Sequence, residues 1–522
     1  MPYISNPVAT TFDLDFDTIA EQFTFTRGSE ATFVNEQGLI ESTNQLGPEL
    51  VTNGDFSVDS NWTKLIGWTI SGGSANCALG GTDIFQSKPA GFWNGKTLKV
   101  TYTVSNYVQG EVRPAFWNPG ITEGTYVSAN GTYTEYISPT TDAGQFGFRT
   151  NLSNFIGSID NVSVKEVISA TNTPRIDYST GAEAFLLEPQ STNLIPYSED
   201  FSQLWSADDA TLISNSVVSP DGTQNASTLI GSTVNSRHNI SRGSSGSVDA
   251  SFSLFVKAKE LKYLQIASAN TTNQYVNFDI ESGIIGNVGS SFSNAKIENY
   301  SNGWYRVSVV SLNQYNSYYI SLVSGLNAGW LESWVMPNNT DGLYIYGAQL
   351  EQQSYATSYI PTDGASATRN QELCNNATPV INSEEGTLYA EISALANDGT
   401  YRALTISDGT NSNVVRIYYA SATNRLTIEV RSSNVNVFSK NYTLTDSTQF
   451  NKIAVKYKQN DFSLWVNGIE VGTDSVGNAP ISLSELSFNN GVGTEPFFGN
   501  TKGLKYYPKA LADVQLEDLT TI

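Results

Sequence analysis

Hydrophobic and polar residues alternate along much of this chain, in short runs that predict β-strands. The clearest run is Leu98–Val104, in which apolar residues alternate with lysine and threonine. Similar runs recur at residues 276–280, 304–312 and 317–323, and four more lie between residues 415 and 466. Because successive side chains of a strand point to opposite faces of the sheet, each run predicts a strand that is buried on one face.

The composition supports the same fold class. The chain has 42 glycines, 27 tyrosines, 24 phenylalanines and 9 tryptophans. Aromatic residues fit a pleated surface, and glycine serves tight turns. At 522 residues the chain is too long for one hydrophobic core, because a domain usually holds about 100–200 residues. We therefore predict an all-β chain of several modules.

The segment Thr171–Phe201 is predicted to join these modules. It contains Pro174 and Pro189, a Ser-Thr-Gly turn signal at residues 179–181 and a short apolar run at Ala184–Leu187. These features favour a turn, a strand and an extended connector, and they show no helical period. The segment therefore ends one unit of the chain and leads into the next.

The ends of two modules resemble each other. The stretch ELVTNGDFSVDSNW is echoed by NLIPYSEDFSQLW, which predicts a duplicated fold. A third module follows, and its Asn467-Gly468 pair is the strongest hairpin signal in the chain. The predicted units are an N-terminal arm and small β frame (1–45 with 168–192), a first module (46–167), a second module (193–365) and a third module (366–522).

The first module is predicted to be inserted into the frame. Residues 174–187 are expected to pair with residues 25–40, so that the two parts of the frame meet across the insertion. Such an insertion is physically inexpensive, because the entropy cost of closing a loop grows only logarithmically with its length.

Charge excludes several classes of partner. The chain has 28 Lys and Arg residues against 50 Asp and Glu residues, which gives a net charge of −22. A chain of this charge repels phosphate backbones and anionic membrane surfaces. We predict no nucleic-acid partner and no insertion into a membrane. The N-terminus shows no secretory signal pattern, so we expect synthesis in a cytoplasm.

Cysteine and histidine exclude several kinds of chemistry. Cys77 and Cys374 fall in different predicted modules, so neither a disulfide framework nor a cysteine metal site is indicated. The single histidine, His238, removes Ser-His-Asp and multi-histidine metal chemistry, and its polar surroundings predict an exposed loop. No catalytic residue is predicted. A glycosidase that uses two carboxylates stays open, because sequence cannot measure their separation.

Three segments carry a family resemblance. TFTRGSEATFVNEQGLIES, TPRIDYSTGAEAFLLEPQSTNLIPYSEDF and SYIPTDGASATRNQELC resemble the linked motifs of modular bacteriophage fibre and head-spike proteins. The first two modules resemble carbohydrate-binding jelly rolls. The third resembles a laminin-G or concanavalin-A-like sandwich that ends in a short helix, here at Ala510–Leu519. The implied fold is a series of β-sandwiches, the first of them inserted in the small N-terminal frame.

The resemblance also implies a function. It predicts a structural virion surface protein of a tailed phage, such as a fibre, a spike or a capsid decoration, that attaches to host-surface glycans. Its other partners would be virion proteins, bound through the N-terminal arm, and two further copies in a homotrimer. Two alternatives stay open: a polysaccharide depolymerase on the virion, and a cellular glycan-binding adhesin.

Candidate site residues follow from the jelly-roll resemblance. Such modules often hold a structural calcium ion between their first and last strands, and Asn53, Asp55 and Asp160 match those places. The alternative is an Asx turn at Asn53–Asp55 with a solvated Asp160. For glycan contact, four tryptophans lie beside glycine or proline in predicted loops, although core packing is the more common role of this residue. They are Trp93, Trp117, Trp330 and Trp334.

Overall fold

A computed structural model describes residues 10–11, 22–139, 142–152, 154–168, 171–269, 274–289, 292–312 and 316–522. The chain is nearly all β, and its principal sheets form three two-layered sandwiches. The predicted fold class, all-β with several β-sandwich modules, is confirmed. Within the described residues no helix is long and apolar enough to span a membrane.

Four short strands lie at the N-terminus. They are β1 (Thr10–Thr11), β2 (Thr24–Thr26), β3 (Thr32–Val34) and β4 (Ile40–Ser42). Strands β3 and β4 pair with each other as an antiparallel hairpin. Most of the first 21 residues, which belong to the predicted N-terminal arm, lie outside the described residues.

The first sandwich packs a six-stranded sheet against a five-stranded sheet. Its strands are β5 (Gln45–Glu49), β6 (Thr63–Lys64), β7 (Trp68–Ser71), β8 (Ser74–Cys77), β9 (Asp83–Ser87), β10 (Leu98–Gln109), β11 (Val112–Trp117), β12 (Ile121–Glu123), β13 (Gly131–Ile137), β14 (Gln145–Thr150) and β15 (Ile156–Ile168). The larger sheet has the order β13-β10-β15-β8-β7, with β5 also on β15, and the smaller sheet has the order β12-β11-β14-β9-β6. The apolar side chains of the predicted run Leu98–Val104 are buried between the two sheets.

The joint and the second sandwich follow. The joint contributes β16 (Ile176–Asp177), β17 (Ala184–Leu187) and β18 (Ser191–Asn193). The sandwich consists of β19 (Ser206–Asp208), β20 (Ala210–Val217), β21 (Ala226–Gly231), β22 (His238–Arg242), β23 (Ala250–Ala258), β24 (Tyr263–Ser268), β25 (Tyr275–Asp279), β26 (Ile284–Val288), β27 (Phe292–Asn299), β28 (Trp304–Ser311), β29 (Tyr318–Leu322) and β30 (Gly342–Glu351). Its sheets have the orders β19-β22-β29-β24-β25-β26 and β20-β21-β30-β23-β28-β27.

The third sandwich ends the chain. Its elements, with two short strands before it, are β31 (Ala367–Arg369), β32 (Leu373–Asn375), β33 (Glu385–Ala394), β34 (Arg402–Ser407), β35 (Val414–Tyr419), β36 (Arg425–Ser432), β37 (Val435–Thr443), β38 (Asn451–Lys458), β39 (Phe462–Val466), β40 (Ile469–Asp474), β41 (Glu485–Ser487), β42 (Gly499–Tyr507) and helix α1 (Asp513–Thr520). The larger sheet has the order β16-β17-β42-β33-β38-β39-β40, with β1 also on β42, and the smaller sheet has the order β37-β36-β35-β34-β41.

Two local predictions in this sandwich can be compared with the structure. Asn467 and Gly468 have φ values of 50° and 79°, so the predicted turn with two positive φ angles is confirmed. The helix begins at Asp513, three residues later than predicted, because the backbone of Ala512 is still extended (φ −70°, ψ 153°). Leu511 instead packs beneath the helix, in the cluster that contains Trp465.

The frame is completed differently from the prediction. Strand β17 pairs with β42 of the third sandwich, and β2 pairs with β32. Residues 174–187 and 25–40 do lie side by side, since the Val34 amide donates to Asp177 Oδ2 over 2.8 Å, but no ladder between them is present among the described residues. The Tyr178 amide also donates to the Val34 carbonyl over 2.9 Å, so the predicted contact between the two segments is confirmed, but β17 forms its strand pair with β42 instead.

The physical reason for this difference is the need to bury apolar side chains. Phe25, Phe185 and Leu187 all belong to the core of the third sandwich. A frame of a few short strands has too little volume to bury such residues by itself. The predicted division of the chain into units at residues 45, 167, 192 and 365 stays a prediction.

Candidate functional site

The outer face of the five-stranded sheet in the first sandwich is the candidate site. On β11 and β14, Phe116 and Phe146 point inward and pack on each other, with ring centroids 4.8 Å apart. Because side chains alternate along a strand, the neighbouring residues Trp117 and Gln145 point outward. The two are directly opposed in the register of the sheet.

We call this surface the Trp117 face and define it by six outward side chains. Its members come from four adjacent strands, β9, β11, β12 and β14, which explains why they are dispersed in the sequence. The six residues are Asp83, Phe85, Arg113, Trp117, Glu123 and Arg149.

Aromatic rings form one part of the face. Phe85 meets Trp117 edge to face, with ring centroids 5.5 Å apart. The guanidinium carbon of Arg149 lies 5.6 Å from the Trp117 ring centroid, within the range of a cation–π contact. The centre of the sheet carries only Ala115 and Gly147, and a Cβ atom on Gly147 would lie 2.6 Å from Phe85 Cα. The absence of a side chain at Gly147 therefore lets the neighbouring strand approach closely.

A charged network forms the other part. Arg149 Nη1 donates to Glu123 Oε1 over 3.2 Å, and Arg149 Nε lies 3.5 Å from Asp83 Oδ1. Arg113 also pairs with Glu123. The four side chains are between 22% and 34% exposed, so the network is partly open to solvent. Two positive and two negative groups hold one another in place and leave the network with no net charge.

The four tryptophans named from the sequence have different environments. Trp117 lies on the Trp117 face and is half-buried. Trp93 is fully buried in the core of the first sandwich, and its ring centroid is 5.2 Å from that of Phe116. A ring with no exposed surface cannot stack on a sugar, so the prediction of glycan contact at Trp93 is wrong.

Trp330 and Trp334 lie in a loop of the second sandwich, and both are half-buried. The Trp330 indole donates to the carbonyl of Ser268 over 3.2 Å, and the Trp334 indole donates to that of Leu322 over 3.1 Å. This loop also lies over the polar outer face of its sheet, where Gln265 Nε2 donates to the Gly329 carbonyl over 2.8 Å. The two tryptophans therefore anchor the loop, and glycan contact at either of them stays a prediction.

His238 is buried, so the predicted exposed loop is wrong. It begins β22, and its ring nitrogens lie 2.9 Å from the carbonyl oxygen of Asp209 and 3.0 Å from that of Trp334. The surrounding sequence is polar, but His238 lies two residues before the core residue Ile240 on the same strand, so both side chains point inward.

The two segments that contain the candidate calcium residues contact each other through the backbone. The Val162 amide, two residues after Asp160, donates to the Gly54 carbonyl over 2.8 Å. Asn53 Nδ2 donates to the Val58 carbonyl over 2.7 Å, and Asp55 Oδ1 accepts from the Ser57 hydroxyl over 3.1 Å. These are the contacts of a self-bonded turn, and no cluster of three or more acidic, cysteine or histidine residues suited to a metal occurs in the described parts of the chain. Calcium binding here stays a prediction.

A carboxylate pair that the sequence did not single out lies in the second sandwich. The Tyr346 hydroxyl lies 2.8 Å from Glu199 Oε1 and 3.0 Å from Asp221 Oδ2. The Tyr359 hydroxyl also donates to Glu199 Oε1, over 3.1 Å. Burial, together with the negative charge of Asp221, raises the pKa of Glu199 to about 7. Both carboxylates are hydrogen-bonded within the protein, so the pair is a structural element of the fold.

The three motif segments meet in one buried cluster, which we call the arginine–glutamate cluster. It consists of Arg27, Arg175, Arg369, Glu188 and Glu372, whose side chains are at most 4% exposed. Arg27 comes from the first segment, Arg175 and Glu188 from the joint, and Arg369 and Glu372 from the third segment. The cluster therefore ties together the places where the chain passes between its sandwiches.

Hydrogen bonds inside the cluster are charge-assisted. Glu372 Oε1 accepts from Arg27 Nη1 over 2.7 Å and from Arg175 Nε over 2.8 Å. Glu188 Oε2 lies 2.8 Å from both Arg175 Nη2 and Arg369 Nη1. Burial alone would raise the pKa of Glu188, but the charges of Arg369 and Arg175 outweigh burial and hold it at about 2. The charged residues of the cluster are visible in the sequence as parts of three motifs, but the sequence does not show that these motifs meet.

No protein-family model matches the chain, and no curated protein matches it. Among solved structures, the chain is similar to CBM40 of the Ruminococcus gnavus IT-sialidase, with 18% identity over 27% of this chain and 85% of that one (TM-score 0.24). It is also similar to domain 4 of AbnA, a GH43 extracellular arabinanase from Geobacillus stearothermophilus solved with arabinotriose, with 12% identity over 33% of this chain and 84% of that one (TM-score 0.25).

A third similar structure is the CBM22-1–CBM22-2 tandem of Paenibacillus barcinonensis Xyn10C. Its identity is 10%, over 59% of this chain and 98% of that one, with a TM-score of 0.20. At these scores the similarities carry no information about the chemistry of the Trp117 face.

Proposed function

We propose that this chain is a glycan-binding attachment protein and that the Trp117 face is its sugar-binding surface. The observation that carries the proposal is the combination of a half-buried tryptophan with a preorganised polar network on one open sheet. A sugar ring can stack on an indole, and its hydroxyl groups can both donate to carboxylates and accept from guanidinium groups. Trp117 supplies the ring, and Arg149, Glu123 and Asp83 supply both kinds of polar partner.

In the finer form of the proposal, the chain is displayed on the surface of a tailed phage. The resemblance of the three motif segments to phage fibre and head-spike proteins supports this form. The contacts of the arginine–glutamate cluster are compatible with it, because they link those segments into one buried unit. The N-terminal arm would bind other virion proteins, and the chain would be a homotrimer. Mass spectrometry of purified phage particles tests the location, and native mass spectrometry of the purified chain tests the trimer.

A glycan array probed with the full chain and with Trp117→Ala tests the sugar-binding surface. Glycans bound by the native chain should bind the variant at least about thirtyfold more weakly, because removal of a central aromatic contact costs about 2 kcal/mol or more. Trp117→Tyr should retain part of the affinity, because a smaller ring still stacks.

Trp330→Ala is the matched control, since it removes a half-buried tryptophan from another sandwich. Loss of binding in the Trp330 variant with full binding in the Trp117 variant would move the site to the second sandwich and refute the proposal. A reducing-end assay on the bound glycans separates attachment from cleavage. Release of new reducing ends would favour the depolymerase alternative.

A further inference from the structure

The outer face of the five-stranded sheet in the third sandwich carries two stacked tyrosines. On β35, Ile417 and Tyr419 belong to the core, so Tyr418 between them points outward. Tyr401, just before β34, stacks on Tyr418 with ring centroids 6.1 Å apart and an interplanar angle of 23°. Tyr401 is 42% exposed and Tyr418 is half-buried. The pair therefore presents aromatic surface to solvent.

A row of polar side chains continues from the rings across the sheet. In the strand register, Tyr418 is opposite Thr427 of β36, and Thr427 is opposite Asn441 of β37. Neighbouring strands are about 4.8 Å apart, so Tyr418 and Asn441 stand about 10 Å apart with the smaller Thr427 between them. The Thr427 hydroxyl donates to Asn441 Oδ1 over 2.7 Å, which fixes the orientation of the exposed Asn441 amide group.

A charged network lies beside this row on the same face. Glu429 Oε2 accepts from Arg416 Nη1 over 3.2 Å, and Glu429 Oε1 accepts from Arg431 Nε over 2.8 Å. Burial lowers the pKa of Arg416, and the negative charges of Glu429 and then of Glu495 oppose this effect. Two guanidinium groups and two carboxylates therefore balance one another. The Arg431 side chain is 34% exposed and that of Arg416 only 10%, so Arg431 is the guanidinium that a ligand can reach.

The arrangement repeats that of the Trp117 face on a sheet of unrelated sequence. In both sandwiches an outward ring contacts a second ring, and two arginines share one glutamate on the same face. In both, a second carboxylate balances the charge of the arginines. The two faces share no residue and no strand. A ring for stacking beside fixed donors and acceptors suits a saccharide, whose hydroxyl groups both donate and accept.

We propose that this surface is a second glycan-binding site and that its ligand is a neutral oligosaccharide. We call it the Tyr418 face, and its members are Tyr401, Tyr418, Thr427, Glu429, Arg431 and Asn441. Sugar rings would lie against the two tyrosines, with hydroxyl groups on Asn441 and Arg431. A neutral ligand is expected because the charges of the network cancel. The inference rests on the proposed function only for the class of ligand, since every residue that carries it lies outside the Trp117 face.

Isothermal titration calorimetry of the full chain carrying Trp117→Ala tests the proposal, because that variant leaves only the Tyr418 face. The probes are maltotriose, cellotriose, laminaritriose and mannotriose. At least one should bind, with one molecule per chain. Adding Tyr418→Ala should weaken that binding at least about thirtyfold, as expected for loss of a central aromatic contact, whereas Tyr418→Phe keeps the ring and should keep most of the affinity.

Tyr507→Ala is the matched control, because it removes a half-buried tyrosine from the other sheet of the same sandwich. It should leave the affinity unchanged. Three results would overturn the proposal: no binding of any of the four probes to Trp117→Ala, unchanged affinity on adding Tyr418→Ala, or trigalacturonate binding tenfold or more tightly than every neutral probe.

The same titrations separate this proposal from that of the Trp117 face. If the Trp117 face fails as a glycan site, the native chain and Trp117→Ala should bind the probe identically. If the Tyr418 face fails, the native chain should bind and Trp117→Ala should not.

Discussion

The arginine–glutamate cluster gives the sharpest prediction about stability. Glu372 is fully buried and accepts hydrogen bonds from Arg27, from Arg175 and from the backbone amide of Glu188. Glu372→Gln keeps the shape of the side chain but removes its charge. It also places an amide group opposite N–H donors that bind a carboxylate oxygen in the native chain.

The expected cost follows from the charges that remain. The native cluster has three guanidinium groups and two carboxylates, and the variant has one carboxylate for the same three cations. Removing one partner of a buried ion pair costs about 3–5 kcal/mol, because the other charge stays buried without compensation. Converted to an equilibrium constant, this cost is a factor of about 10² to 10⁴.

Hydrogen-exchange mass spectrometry is the suitable assay, because the chain has three sandwiches and need not unfold in one step. Peptides that cover residues 171–190 and 366–376 report on the cluster, and the variant should lose protection there by the factor given above. The first sandwich serves as an internal reference, since none of its residues belongs to the cluster.

Glu123→Gln is the matched control, because it makes the same substitution in a partly exposed ion pair that should be worth about 0–1 kcal/mol. If Glu372→Gln changed protection in the two cluster peptides by less than tenfold, the cluster would not hold the sandwiches together, and the reasoning would be refuted.

Three further predictions concern pH and packing. The pKa of Glu188 is held at about 2, below its unfolded value, so ionised Glu188 contributes up to about 3 kcal/mol to the free energy of unfolding above pH 4.5, and this contribution is lost as the pH falls toward 2. An acid titration followed by circular dichroism checks this, and Glu188→Gln should make the stability depend less on pH in that range. The pKa of Glu199 is raised to about 7, so protonated Glu199 stabilises the fold fully below pH 4.5, and this stabilisation is lost as the pH rises to 7. Glu199→Gln should therefore be more stable than the native chain at pH 8, by at most about 3 kcal/mol in urea unfolding. Equal stabilities at pH 8 would contradict this. Phe185→Ala removes a ring that packs on Phe25 and Phe488, so it should cost about 3–5 kcal/mol and increase hydrogen exchange in β42, whereas unchanged exchange there would show that β17 is not needed by the third sandwich.

The sequence anticipated only part of the Trp117 face. It named Trp117 from its place beside a predicted turn, but it named Trp93 by the same reasoning. It missed Phe85, Arg149 and Glu123. The available signal was the even spacing of Asp83 and Phe85, two residues apart, and of Gln145 and Arg149, four residues apart, which places each pair on one side of its strand. That signal gives the pairs but not the order of the strands that brings them together.

The sequence by itself determined the strands, the positive-φ turn at Asn467-Gly468 and the all-β class, because alternation and turn preference are local properties of the chain. Only the tertiary structure decided that β17 completes a sheet with β42 and that Arg27, Arg175 and Arg369 share two carboxylates. Alternation shows which side chains share a face, but not whether that face meets a core, another strand or solvent. The neighbours in a sheet are chosen by burial over the whole chain, and this is why Trp93 is enclosed while Trp117 lies on an open surface.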